Sequence, residues 1–132
     1  IMNTIESTMD KKYIFGLTGL LVVIGGIIWW GLKEDGSTEA FDASVTTYFF
    51  GEECPHCRNV RAFLSENKIE EKFSFVKREV WHDRNNARLM RDAAAICNLG
   101  ADRVAVPFVF SEGKCTIGEP QVIDFFKQKA GM

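Results

Sequence analysis

The longest apolar pattern in the chain is an uninterrupted run near its beginning. Residues 14–32 contain nineteen positions without a charge. At about 1.5 Å per residue in a helix, this run matches the roughly 30 Å apolar core of a bilayer. It predicts a single transmembrane helix. We expect four segments, namely a tail over 1–12, a membrane anchor over 13–32, a linker over 33–44 and a globular domain over 45–132.

The charges beside the run predict its orientation. Lys11 and Lys12 precede it, whereas Lys33 follows it together with two acidic residues. Cytoplasmic flanks carry the excess of lysine and arginine, so we expect a cytoplasmic N-terminus and an extracytoplasmic domain. A cleaved signal peptide is the alternative. It is less favoured because a signal peptide has a shorter apolar region followed by small residues at the cleavage site.

Shorter patterns in the rest of the chain predict alternating strands and helices. β-Branched and aromatic runs indicate strands, and apolar residues at helical spacing indicate helices. Strands are expected over 45–50, 72–80, 104–110 and 115–117, and helices over 55–67, over 84–98 and from 119 onwards. The predicted order is β-α-β-α-β-β-α, an α/β domain with parallel first strands and a closing hairpin.

The second predicted helix has a detailed pattern of its own. Asp83 is a suitable N-cap, and Gly100 is expected to end the helix. Leu89, Ala93 and Ile96 share one face, which we expect to be buried. This face would cover one side of the sheet.

Composition excludes one class of function. The net charge is −2, and no basic patch with interleaved aromatic residues occurs. Nucleic-acid binding is therefore not expected.

The chemistry is concentrated in the tetrapeptide Cys54-Pro55-His56-Cys57, directly after the first predicted strand. Pro55 suits the first turn of a helix, where no amide donor is needed. Cys54 would then lie at a helix N-terminus, which stabilises an anion. Cys57 would lie one turn later as a resolving thiol. A C-x-x-C pair at such a junction indicates a redox site.

Two neighbouring features act on this pair in opposite directions. His56 supplies a hydrogen-bond donor and, when protonated, a positive charge, which favours a thiolate and an oxidising pair. Glu52 and Glu53 precede Cys54, and their negative charges disfavour the thiolate. The direction of electron flow therefore stays open.

The element order, the tetrapeptide and Val106-Pro107 before the third strand resemble the thioredoxin superfamily over residues 45–132. Size and order resemble glutaredoxins, and the Cys-Pro-His-Cys sequence resembles periplasmic disulfide oxidases of the Dsb type. The resemblance implies a cis Val106–Pro107 bond facing the cysteine pair and binding substrate as an extended strand. Glutaredoxins usually hold glutathione with Gly-Gly or Gly-Cys followed by Asp near the last helix. Because Gly118-Glu119-Pro120 stands there, glutathione is not implied as the dedicated substrate.

Two further cysteines, Cys97 and Cys115, fall on the second predicted helix and the fourth predicted strand. We predict a structural disulfide between them, which would indicate an oxidising compartment. The alternative is two separate buried thiols.

A zinc site is a second use for the cysteines. Two ligands besides Cys54 and Cys57 would be needed, and the chain has no second C-x-x-C. No metal or other cofactor is therefore expected. An inert structural Cys54–Cys57 disulfide is also less favoured, since structural bridges usually close longer loops.

The sequence thus predicts a membrane-anchored thiol–disulfide oxidoreductase with Cys54 and Cys57 as catalytic residues. Pro55 and His56 would modulate them, and Val106 and Pro107 would bind substrate. The expected partners are protein thiols and disulfides, together with a membrane redox partner. The alternative is a non-catalytic thioredoxin-fold binding or metal-carrier module using the same cysteines.

Overall fold

The computed structural model describes residues 11–31 and 39–132. By their contacts, the residues divide into two units, with the second comprising Thr38–Met132. The elements, in chain order, are α1 (Lys11–Gly31), β1 (Thr47–Phe50), α2 (Pro55–Glu66), α3 (Ile69–Lys72), β2 (Val76–Glu79), α4 (Arg84–Ile96), a 3₁₀ turn (Ala101–Arg103), β3 (Phe108–Ser111), β4 (Lys114–Ile117) and α5 (Glu119–Lys129).

The first unit contains helix α1, which covers most of the predicted anchor. Its described large apolar side chains are exposed, among them Leu21, Val22 and Ile27. Within residues 11–31 and 39–132, no helix is long and apolar enough to cross a membrane. The transmembrane helix over 13–32 therefore stays a prediction.

The second unit is a mixed α/β fold built on a four-stranded sheet in the order β2-β1-β3-β4. β1 pairs with β2 in parallel and with β3 antiparallel, and β3 and β4 form an antiparallel hairpin. The predicted parallel pair and the predicted hairpin are both confirmed. Because side chains alternate along a strand, the sheet buries apolar residues on both faces.

Each face of the sheet is covered by its own helices. On one face, Tyr48 and Val109 pack against α2 and α5. On the other face, Phe49, Phe108 and Phe110 pack against α4. This arrangement places the loop after β1, and with it the cysteine motif, between the sheet and the start of α2.

Several predicted boundaries need correction. The strand predicted over 72–80 is shorter, and its first residue belongs to α3, a one-turn helix that was not predicted. The strand predicted over 104–110 begins only at Phe108, after the 3₁₀ turn and Pro107. Pro107 lacks the amide that a ladder needs, so regular pairing starts behind it.

The end of α4 also differs from the prediction. The helix ends at Ile96 with Cys97 as its C-cap, and Asn98 rather than Gly100 adopts a left-handed backbone (φ 55°). Asn is one of the residues that tolerate this conformation. Ile96 was expected on the buried face, but it is 47% exposed. The buried stripe runs through Leu89 and Ala93 towards Cys97, and Ile96 lies to one side of it.

Candidate active site

The first turn of α2 positions the cysteine pair. Cys54 is the N-cap, with extended backbone angles, and its sulfur accepts a hydrogen bond from the backbone N–H of Cys57 at 3.3 Å. Pro55 occupies the first turn, where its missing amide costs no hydrogen bond. The motif therefore both starts the helix and aims one of its free amides at the Cys54 sulfur.

Both cysteines are free thiols and both are buried. Cys54 is 4% exposed and Cys57 is 1% exposed. Burial raises the pKa of the Cys57 thiol, and its hydrogen bond with Cys54 raises that pKa further. Cys57 is thus held as a neutral thiol near neutral pH, which suits a group that acts second.

The loop before β3 approaches the pair from the opposite side. The Val106–Pro107 peptide bond is cis, and the Cys54 thiol lies 4.0 Å from the carbonyl oxygen of Val106. The Gly118 N–H donates to the Pro107 carbonyl oxygen at 3.0 Å, which ties the loop to the start of α5. Residues that are far apart in the sequence are therefore brought together at Cys54.

A shallow cleft of about 380 Å³ opens beside this loop. Its lining consists of His56, Val106, Pro107, Gly118, Glu119 and Pro120. Because it runs along Val106 and Pro107 next to Cys54, it offers room for a short extended segment of a substrate.

His56 is held by a partner that the sequence did not reveal. Its Nδ1 lies 2.7 Å from Oε2 of Glu119, and Oε1 of the same carboxylate accepts a hydrogen bond from the Asn59 amide at 3.0 Å. These two bonds hold the pKa of Glu119 below its ordinary value. The carboxylate therefore links the first turns of α2 and α5 and fixes the exposed His56 ring.

The two glutamates before Cys54 are each paired with a positive or ionisable group. Glu52 forms two hydrogen bonds of 3.1 Å with the guanidinium of Arg61. Glu53 lies 2.7 Å from Nε2 of His82. The hydrogen bond to Glu53, and then its charge, raise the pKa of His82. The expected unopposed negative charge beside Cys54 is thus partly neutralised.

Trp81 lies over the backbone at the start of the motif. A Cβ atom added at Gly51 would lie 2.5 Å from the Trp81 ring, so only glycine permits this approach. The ring is 52% exposed. The ring therefore packs at the surface beside the active-site loop.

The remaining cysteines, Cys97 and Cys115, are joined by a disulfide with Cα atoms 6.1 Å apart. It connects the C-cap of α4 to β4 and lies among the residues that pack on the α4 face of the sheet. The structure therefore separates the four cysteines into one free pair and one bonded pair. In residues 11–31 and 39–132, no group of three or more His, Cys, Asp or Glu could hold a metal ion.

Sequence reasoning missed the side chains that support the pair. Glu119 and Arg61 were not identified as partners, and Tyr48, whose hydroxyl lies near Cys57, was read only as part of a strand. One signal was available, because Arg61 lies nine residues after Glu52 on the exposed side of a predicted helix. The other contacts join distant elements and have no local pattern.

The fold and the cysteine pair define a member of the thioredoxin superfamily. A family model described as Glutaredoxin matches residues 45–116, more than half of the chain. The chain therefore belongs to the glutaredoxin family and is a thiol oxidoreductase in general terms. No curated protein matches the chain.

Solved structures that are similar to the chain include three of glutaredoxins, each with a TM-score of 0.45. The holo form of glutaredoxin C1 from Populus tremula x tremuloides is 21% identical, and the match covers 69% of this chain and 82% of that one. Reduced glutaredoxin C1 from the same source is 20% identical, with coverages of 70% and 73%. Oxidized glutaredoxin 2 from Chlamydomonas reinhardtii is 19% identical, with coverages of 71% and 89%.

Proposed function

We propose that the protein exchanges disulfides with protein substrates through Cys54 and Cys57. The observation that carries this proposal is the free pair at the N-terminus of α2, with the Cys54 sulfur hydrogen-bonded to the Cys57 amide and facing the Val106 carbonyl. Amides at a helix N-terminus favour an anionic sulfur, and the thiolate is the attacking species in disulfide exchange.

The exchange takes two steps. The Cys54 thiolate attacks a substrate disulfide, forms a mixed disulfide and releases the first substrate thiolate. Cys57 then attacks the Cys54 sulfur, loses its proton and releases the second substrate thiol. The substrate gains two electrons, and the pair becomes a Cys54–Cys57 disulfide. Substrate oxidation is the same sequence in reverse.

The substrate segment would lie in the cleft beside Val106 and Pro107. An extended segment has free backbone groups that can pair with those of a protein loop, and the Val106 carbonyl is near Cys54. His56 and Glu119 line the other part of this cleft. We infer that they contact the residues next to the substrate cysteine.

The direction of electron flow is measurable as a reduction potential. A value near −120 mV would mark the pair as an oxidase and a value near −270 mV as a reductant. His56 favours the oxidase. The negative charges of Glu52 and Glu53 favour the reductant, and their pairing with Arg61 and His82 weakens this effect. Equilibration of Cys54 and Cys57 with glutathione buffers of known ratio gives the value.

We further propose that residues 13–32 anchor the protein in a membrane, with the domain outside the cytoplasm and near a membrane redox partner. The uncharged run over 14–32 supports this location, and a Cys97–Cys115 disulfide suits an oxidising compartment. An impermeant thiol reagent applied to intact cells should label Cys54. Labelling only after lysis would contradict the proposed orientation.

Insulin reduction and refolding of reduced ribonuclease test the exchange activity. Cys54→Ala should abolish both, because it removes the attacking sulfur. The double variant Cys97→Ala/Cys115→Ala is the control, since it removes the other two cysteines and leaves the free pair intact. If Cys54→Ala keeps both activities, the proposed function is wrong. Stoichiometric zinc that disappears in Cys54→Ala would instead favour the non-catalytic metal carrier.

A further inference from the structure

The hydroxyl of Tyr48 is buried without a partner. The residue is 2% exposed, and its Oη forms no hydrogen bond with the residues that the structure describes. Buried hydroxyls normally have a partner, because an unpaired one costs free energy. A phenylalanine would fill the same space without this cost. The hydroxyl therefore needs an explanation beyond packing.

The position of Tyr48 places this hydroxyl near the cysteine pair. Its ring packs in the same cluster as Val60 and Leu64 of α2. Cys57 lies one turn before Val60, so the three residues share one face of the helix, and all three are buried. The buried face of α2, which begins at Cys57, is therefore turned towards the cluster that contains Tyr48.

The ionisation of the two groups reflects this proximity. Burial, and then the charge of Cys57, raise the pKa of Tyr48, so the phenol keeps its proton and can only donate to a neighbouring anion. Burial raises the pKa of Cys57, whereas the Gly51 N–H and the Tyr48 hydroxyl lower it. Both groups thus stabilise the thiolate of Cys57.

We propose that Tyr48 is a catalytic residue, whose hydroxyl donates a hydrogen bond to the Cys57 sulfur as that sulfur becomes a thiolate. The inference rests on the proposed exchange through Cys54 and Cys57. Cys57 loses its proton and attacks the Cys54 sulfur of the mixed disulfide. The Cys54–Cys57 bond forms, the bond from Cys54 to the substrate breaks, and the released substrate thiolate takes up a proton. Without the donor, the thiolate would form in a buried space with fewer hydrogen bonds.

Other groups near Tyr48 must be considered in any pH profile. Arg61 and Cys54 act on Tyr48 through their charges. Glu52, Arg61, Glu70 and Lys77 line a cleft of about 300 Å³ that Tyr48 also lines. Glu52 pairs with Arg61 and Glu70 pairs with Lys77, so each charge in this cleft has an opposite partner. Tyr48 differs from these four charged residues because its hydroxyl is buried and has no hydrogen-bond partner among the described residues.

Reaction of the reduced protein with an aromatic disulfide, 5,5′-dithiobis(2-nitrobenzoate), separates the two steps. Attack by Cys54 releases the first coloured thiolate, and attack by Cys57 on the mixed disulfide releases the second. Tyr48→Phe should slow the second release about tenfold to a hundredfold, the usual worth of a hydrogen bond to a charged group, and leave the first release unchanged. The pH profile of the second release should also move to higher pH.

Ser65→Ala is the matched control, because it removes a hydroxyl from the lining of the same cleft. It should alter neither release. An unchanged second release and pH profile in folded Tyr48→Phe would overturn the role of Tyr48. If Tyr48→Phe fails to fold, 3,5-difluorotyrosine at position 48, a stronger donor, should speed the second release. An unchanged rate there would equally overturn it.

A separate outcome concerns the proposed function itself. Cys57→Ser should lose the second release completely. If Cys57→Ser still releases the second thiolate at the rate of the unmodified protein, Cys57 is not the resolving thiol and the proposed exchange fails. A different result would contradict only the role of Tyr48. In that case Cys57→Ser loses the second release, whereas Tyr48→Phe keeps it at the normal rate.

Discussion

The two cysteine pairs of this protein lie at opposite ends of helices. Cys54 caps the N-terminus of α2, and its pair is free. Cys97 caps the C-terminus of α4, and its pair is a disulfide. A helix N-terminus offers free amides and a partial positive charge, whereas a C-terminus offers carbonyl oxygens and a partial negative charge. The same side chain therefore meets opposite electrostatic surroundings.

The spacing of the pairs reinforces this difference. Two residues separate Cys54 from Cys57, whereas Cys97 and Cys115 are 18 positions apart and connect separate elements. A thiolate stabilised at a helix N-terminus makes its disulfide easier to reduce. A bridge across a long loop mainly restricts the unfolded chain. Position in the fold, more than the presence of two cysteines, is the reason we propose exchange for one pair and stabilisation for the other.

The largest effect is expected from a substitution that breaks the pair proposed to exchange disulfides. Cys57→Ser should reduce turnover in insulin reduction to the uncatalysed background, because the mixed disulfide at Cys54 is no longer resolved. Mass spectrometry should then detect substrate bound covalently to Cys54. Substrate captured equally by Cys54→Ser would show that the two cysteines do not have distinct roles.

The next largest effect is expected from substitutions that remove the Cys97–Cys115 disulfide. Cys97→Ala/Cys115→Ala should lower the free energy of unfolding in urea by about 3 kcal/mol, the value for a loop of this length. Exchange at Cys54 and Cys57 should stay within a factor of about two, because distant sites act independently. A large loss of exchange with little loss of stability would reverse the roles assigned to the two pairs.

A smaller effect tests the charges around the exchanging pair. Glu119→Gln removes the carboxylate that His56 contacts, and with it a negative charge near the N-terminus of α2. The thiolate is then less disfavoured, so the reduction potential should rise by no more than about 30 mV. Glu112→Gln is the matched control, since Glu112 pairs with Lys129 away from the motif. An equal rise in both variants would exclude a specific role for Glu119.

The smallest effect is a dependence on pH. The hydrogen bond to Glu53, and then its charge, raise the pKa of His82 in the folded protein. The pair of His82 and Glu53 therefore stabilises the folded protein fully below the ordinary His pKa of 6.5. This stabilisation is lost as the pH rises through the pKa of His82 in the folded protein. A titration by NMR should place the His82 midpoint above 6.5, and Glu53→Gln should return it towards 6.5. An unchanged midpoint would show that the ion pair does not form in solution. Both groups are exposed, so the effect on stability is small.

Local patterns were enough to predict most of the fold. The β-branched and aromatic run of β1, the proline after Cys54 and the N-cap Asp83 are local signals, and each predicted its element. The short helix α3 was missed because its four residues, Ile69–Lys72, are mostly charged and show no periodicity. The predicted burial of Ile96 was wrong, because the sequence alone does not show where the edge of the buried stripe of α4 lies.

The candidate site was predictable only where it is contiguous. Cys54 and Cys57 stood out because only two residues separate them, and Val106 and Pro107 entered through a family resemblance. The pairs His56–Glu119 and Glu53–His82 join residues from different elements, so no local pattern announces them. Tyr48 looked like any aromatic strand residue. Its distinguishing property, an unpaired buried hydroxyl, exists only in the folded protein.

The disulfide between Cys97 and Cys115 encloses the exposed stretch from Gly100 to Arg103 and the loop that carries Pro107. A protease that cut the chain within this stretch would produce two fragments that remain covalently joined. Under non-reducing conditions the nicked protein would migrate as a single species. The enclosed loop could thus be cleaved without separating β3, β4 and α5 from the rest of the domain.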